Sequence, residues 1–166
     1  QTRLGLLGFV SPKPKLAINS DHPKIDDSYK GNAQAWAQMM DLHTRYFQDA
    51  GYEVISVAPF NETDYTYTGQ GTREDFYKIA VELRANPRFK NIRICGGNTL
   101  NCDEALPWYN YLKEQLDEGN THQLAGEFNG YAAFYLTVRK DGKMAMNDEM
   151  HNVMEAMVGL EYWLQT

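Results

Sequence analysis

Hydrophobic positions along this chain keep two rhythms in turn. Short apolar or β-branched runs read as buried strands, and they alternate with longer stretches whose apolar residues recur every three or four positions, as on one helix face. Residues 1 to 30 carry the least pattern. Lys15-Leu16-Ala17-Ile18-Asn19 reads as a strand, with a polar loop through Ser20-Asp21-His22-Pro23 after it. Beyond Gly31-Asn32, the residues Trp36, Met39, Met40, His43, Phe47 and Ala50 fall on one helical face, and Gly51 closes the helix. Trp36 and Met40 are core positions on this reading. Val54, Ile55 and Val57 form a strand of the doubly buried kind, ended by Pro59.

Thr72 then caps a second helix, with Asp75 completing a capping box, a stripe of Phe76, Ile79, Ala80 and Leu83, and Pro87 just past its end. Asn91 to Cys95 reads as the next strand, breaking at Gly96-Gly97. A third helix with Ala105, Tyr109, Leu112 and Leu116 is expected to end near Gly119, before a short strand from Thr121 to Ala125. Tyr131, Phe134, Tyr135 and Val138 mark a fourth helix, and Asp141-Gly142 a turn. A weak, Met-rich strand over 143–148 leads to a last helix from about His151, expected to bury Val153, Met154, Met157 and Val158.

Strand and helix alternate about five times without a hairpin signal, which implies an α/β fold with parallel strands joined by right-handed crossovers. A doubly wound sheet fits, as does part of a (β/α)₈ barrel of TIM type. No Gly-x-Gly-x-x-Gly or P-loop follows any strand, so no nucleotide motif is present. The 166 residues suit one domain over 1–166, and no linker or repeat divides it. With 16 basic and 22 acidic residues the net charge is −6, which argues against a nucleic-acid partner. No apolar run reaches the length of a membrane span. Leu4 to Val10 is apolar, but no charged leader or cleavage site frames it as a signal peptide. The two cysteines, Cys95 and Cys102, form no Cys-x-x-Cys pattern. A bond across the Gly-Gly-Asn loop and a pair of free thiols both fit, and buried free thiols are the expectation.

Candidate chemistry gathers at two places. Asn61-Glu62 follows the Val54–Val57 strand, and Asp148-Glu149 closes the last one. The C-terminal ends of parallel strands are where α/β enzymes place reacting groups. A carboxyl there exchanges a proton, and a neighbouring amide holds a substrate hydroxyl. A plain polar loop is the competing reading of Glu62 taken alone. His122 at a strand end is either a satisfied loop histidine or a ligand for a sugar hydroxyl. Tyr65 and Tyr67 are candidates for stacking on a sugar ring, and Asn98 and His151 for substrate contacts. Asp148, Glu149, His151 and Glu155 invite a metal reading, but no His-Glu-x-x-His or comparable set is present, and no metal is expected.

The segments VAPFNETD, IRICGGNTLN, THQLAG and NDEMHNVMEAM resemble the fourth to seventh strand segments of the clan of (β/α)₈ retaining glycoside hydrolases. Within the clan the likeness is nearest to bacterial secreted O-glycosyl hydrolases related to glucosylceramidases and β-1,6-glucanases, over roughly residues 14 to 166. The resemblance implies an acid/base at Glu62, a nucleophile at Glu149, and a grip on the sugar 2-hydroxyl by Asn61. It implies an oligo- or polysaccharide substrate, no cofactor, and a secreted, periplasmic or cell-surface location. Thr63 stands where the clan commonly has proline. A complete barrel runs to ~250 residues, so the match covers about the third to seventh strands, and an incomplete barrel is expected to cover its open edges with a second chain. The alternative function is a glycan-binding or scaffold protein without turnover. No Gly-x-Ser-x-Gly elbow supports a serine hydrolase.

Overall fold

A computed structural model describes residues 13–19, 29–65 and 69–164. The apolar run from Leu4 to Val10, the loop from Ser20 to Pro23, and Tyr67 lie outside the described residues. Five strands, β1 (Lys15–Asn19), β2 (Glu53–Ala58), β3 (Arg93–Asn101), β4 (Glu118–Ala125) and β5 (Met144–Met146), form one parallel sheet in sequential order. Helices α1 (Ala33–Asp49), α2 (Arg73–Ala85), α3 (Ala105–Leu112), α4 (Phe128–Lys140) and α5 (Val153–Leu164) follow the strands, each packing on the next. The order shows no reversal, whereas a doubly wound sheet reverses at a switch point. Side chains from β1, β2, β3 and β5, among them Ile18, Ser56, Cys95 and Met146, line one cavity of about 60 Å³. The sheet therefore curls, bringing its outer strands toward a shared concave face.

Local signals account for most element ends. Asn32 accepts from the Ala35 N–H at 3.1 Å to start α1, and Gly51 follows the helix at φ 95°, a conformation that costs glycine little. The Thr72–Asp75 capping box is complete at the start of α2. Within α1 the buried stripe is Trp36, Ala37, Met40 and Thr44, while Met39 and Phe47 flank the core half-buried. His43 and Ala50, expected on that face, are exposed. The Trp36 indole donates to the Pro59 carbonyl at 3.1 Å, tying α1 to the point where β2 leaves the sheet.

Two strands differ from expectation for one reason. β3 does not break at Gly96-Gly97 but runs on to Asn101, and β4 starts at Glu118, so Gly119 lies inside a strand rather than after a helix. A methyl group on Gly96 would strike the Phe76 ring, and one on Gly97 would reach Trp108 Cβ at 3.0 Å. On Gly119 it would meet Val138 at 2.8 Å and Phe134 at 3.1 Å. These glycines let α2, α3 and α4 seat directly on the sheet backbone, a use of glycine inside strands.

The last helix is also corrected. Val153, Met154 and Met157 are 75%, 53% and 56% exposed, and of the four expected core residues only Val158 packs on the core. Among the described side chains of α5, Glu155 is the fully buried one. Its carboxylate accepts from the His151 N–H and the Asn152 and Asn147 amides, and its own N–H donates to Asn152 Oδ1, which caps the first turn of the helix. Cys95 and Cys102 are both buried and free, as expected.

Candidate active site

Strand β4 supplies the centre of the site. Its residues alternate, with Gly119 against α4 and Thr121 bonded to Thr99 on β3, while Glu118, Asn120 and His122 share the other face. Low on that face Glu118 is fully buried, accepting from the Ser56 hydroxyl at 2.6 Å and pairing with Arg93. Toward the C-terminal end, Asn120 and His122 meet residues delivered by the loops after β2 and β5.

His122 has no exposed surface and uses both ring nitrogens. Nδ1 lies 3.0 Å from Glu62 Oε1 and 3.7 Å from Glu149 Oε2, and Nε2 lies 3.0 Å from Asp148 Oδ1. The Asn120 amide donates to the same Asp148 oxygen at 2.6 Å. Donor atoms of Glu62, His122 and Glu149 all fall within 4.8 Å of one another. Burial alone would lower the pKa of His122. Its bonds to Asp148 and Glu62 and the charges of Asp148 and Glu149 outweigh burial and hold it above the ordinary histidine value. Burial pushes the other way on Asp148, and the bonds from His122 and Asn120 overcome it, leaving that carboxyl below its usual range. A buried histidine held among three carboxyl groups is the electrostatic content of the site.

The β2 end is built to present Glu62. Asn61 is buried, its N–H donating to Gln70 Oε1 at 2.6 Å and its side-chain oxygen accepting from Asn19 at 2.8 Å. Asp64 accepts the N–H groups of Leu100 and Asn101 at 2.7 and 2.8 Å, locking the loop to β3. Between these anchors Glu62 takes φ 51°, and its N–H donates to the Asn98 carbonyl at 2.7 Å, where Asn98 also has φ 51°. Left-handed backbone at a non-glycine residue costs on the order of 1–3 kcal/mol and persists only where its surroundings impose it. Both strained residues here flank the same carboxylate.

The expected site residues therefore divide. Glu62, Glu149 and His122 come together, with Asn61 and Asn98 beside Glu62. Asn98 is fully buried, and among the described residues neither atom of its carboxamide has a hydrogen-bond partner. Tyr65 is 44% exposed on the rim, its N–H bonded to the Glu62 carbonyl. His151 is also exposed, with Nε2 4.0 Å from Glu149 Oε1, and stands outside the inner cluster. The grouping of Asp148, Glu149, His151 and Glu155 does not exist as one cluster, because Asp148 turns to His122 and Glu155 turns into the α5 cap. Sequence reasoning missed Asp148 and Asn120 as partners of His122. The alternation of Glu118, Asn120 and His122 along β4 was the available signal, since three polar residues at a spacing of two on a buried strand share a face.

No protein-family model matches this chain, and no curated protein matches it. Among the described residues no helix is long and apolar enough to cross a membrane.

Proposed function

We propose that this chain is a retaining glycoside hydrolase, with the sheet corresponding to the third to seventh strands of a (β/α)₈ barrel. The observation carrying the reading is the approach of Glu62 and Glu149. Their nearest carboxylate oxygens lie within 4.8 Å, at the C-terminal ends of parallel strands. Retaining enzymes hold their carboxyls ~5–5.5 Å apart, and inverting enzymes ~6.5–9.5 Å. Sequential strand order and the shared concave cavity support the barrel assignment.

In the first step Glu149 attacks the anomeric carbon. The bond to the leaving oxygen breaks as Glu62 gives that oxygen its proton, and a glycosyl ester forms on Glu149. Glu62, now a carboxylate, takes a proton from water, which attacks the same carbon and frees Glu149. Glu149, 46% exposed, is open to an incoming sugar, whereas Glu62 at 14% is held by its loop and by His122. Asn98, unpaired among the described residues but fully buried, meets a sugar hydroxyl only if its side chain turns toward the opening. Asn61 holds Asn19 through its side-chain oxygen, which leaves its amide nitrogen to donate to a sugar hydroxyl. A secreted, periplasmic or surface location and a second chain covering the open edges of the barrel belong to the same proposal.

The test is a panel of aryl glycosides with Glu62→Gln and Glu149→Gln. Loss of an acid/base lowers turnover by roughly 10²–10⁴-fold, and a 2-fluoro glycoside should leave a glycosyl adduct on Glu149 detectable by mass. Turnover unchanged in either variant, or an adduct elsewhere, would reject the mechanism. Saturable glycan binding with no turnover on any substrate would favour the glycan-binding alternative.

A further inference from the structure

We propose that Glu62, His122 and Glu149 form a binding site for a borderline divalent cation of the Zn²⁺ class, which occupies the carboxylate pair in competition with a glycoside. The inference rests on donor geometry and does not require the hydrolase reading. One imidazole nitrogen and two carboxylate oxygens converge, with Nδ1 3.0 Å from Glu62 and 3.7 Å from Glu149 and all three donors within 4.8 Å. Donors bound at ~2.0–2.2 Å to one ion lie up to ~4.4 Å apart, a range that contains both Nδ1 distances.

The surroundings of His122 are those of a metal ligand. Its far nitrogen, Nε2, is held by the Asp148 carboxylate at 3.0 Å, and Asn120 fixes that carboxylate at 2.6 Å. With Nε2 held by a carboxylate, Nδ1 is the nitrogen left facing Glu62 and Glu149, the arrangement that orients histidines on metals. Behind the ring, the Asn120 amide fixes Asp148, while its side-chain oxygen is buried without a hydrogen-bond partner among the described residues. Asn98, adjoining Glu62, is likewise buried with its carboxamide unpaired. Two carboxylates balance a dication, and the proton on Nδ1 leaves to solvent as the ion enters. A set of one imidazole and two carboxylates without thiolate suits Zn²⁺ and its first-row neighbours, and suits Mg²⁺ or Ca²⁺ poorly. Three protein donors also leave positions open on the ion, as at exchangeable sites.

The experiment is calorimetric titration of the chelator-treated full chain with Zn²⁺, repeated with Mg²⁺. One equivalent of Zn²⁺ is expected to bind and Mg²⁺ at least tenfold more weakly. Glu149→Gln, an exposed position that leaves the fold intact, should weaken Zn²⁺ at least tenfold. Asp148→Asn should weaken it about 10–100-fold, and His43→Gln should change nothing. X-ray absorption of the zinc-loaded chain should show an imidazole in a nitrogen and oxygen shell. No saturable binding, affinity indifferent to Glu149→Gln, or affinity lost with His151→Gln alone would overturn the proposal. Hydrolysis by the chelator-treated chain reports separately on the hydrolase reading, so either can fail without the other.

Discussion

Replacing His122 with leucine in chelator-treated protein removes two hydrogen bonds to carboxylates at once and leaves Glu62, Asp148 and Glu149 facing one another. A hydrogen bond to a charged group contributes about 1.5–3 kcal/mol. The Glu62 bond deserves the middle of that range, since that side chain is only 14% exposed. Asp148 is 37% exposed and keeps its bond from Asn120, so its share falls below about 1 kcal/mol. Repulsion between Glu62 and Glu149 adds about 1 kcal/mol after screening, because Glu149 is 46% exposed. Burying leucine in place of a ring offsets part of the loss, and the expected destabilisation is about 2–3 kcal/mol. The pH dependence separates this from a packing defect. His122 is raised above 6.5 in the folded state, so its contribution is complete below the unfolded value and fades as pH climbs through the raised one. Asp148 is lowered below 3.8, so its contribution is complete above that value and fades as pH falls through the lowered one. Urea unfolding of both proteins should therefore show the largest gap near about pH 5.5, narrowing toward acid and toward alkali. A gap under about 0.5 kcal/mol, or one flat from about pH 4 to 9, would refute the imidazolium bridge.

Gly119→Ala should cost about 1–3 kcal/mol by pushing Val138 and Phe134 off the sheet; urea unfolding at wild-type stability would show that α4 does not seat there. Glu155→Ala leaves the His151 N–H and the Asn152 amide without their acceptor and the Asn147 amide with the Tyr131 hydroxyl alone. It should lower stability by about 1.5–3 kcal/mol and speed amide exchange at the start of α5, and unchanged exchange would contradict the cap. Burial pushes the Cys95 thiol well up and Cys102 up to about 11. Both should ignore a thiol reagent in the native protein, and two thiols per chain should titrate in denaturant without reductant; a count of zero would reveal a disulfide.

What could be read along the chain was whatever neighbours in sequence decide. The strand–helix alternation, the Thr72–Asp75 capping box and the turn at Gly51 depend on residues within a few positions of each other, so their pattern is local and visible. Glu62 and Glu149 could be nominated because each follows a strand, and strand ends are local too. The role of His122 could not be read that way. It joins Glu62, 60 positions before it, to Asp148, 26 after, and only the parallel register of adjacent strands sets those distances. The glycines of β3 and β4 failed as boundary marks for a related reason. A glycine breaks a strand or admits a helix against it according to what packs above, and Phe76, Trp108 and Val138 arrive from other elements. The exposed face of α5 completes the contrast: periodicity shows that a helix has an apolar stripe, but whether the stripe is covered depends on what the rest of the fold places against it.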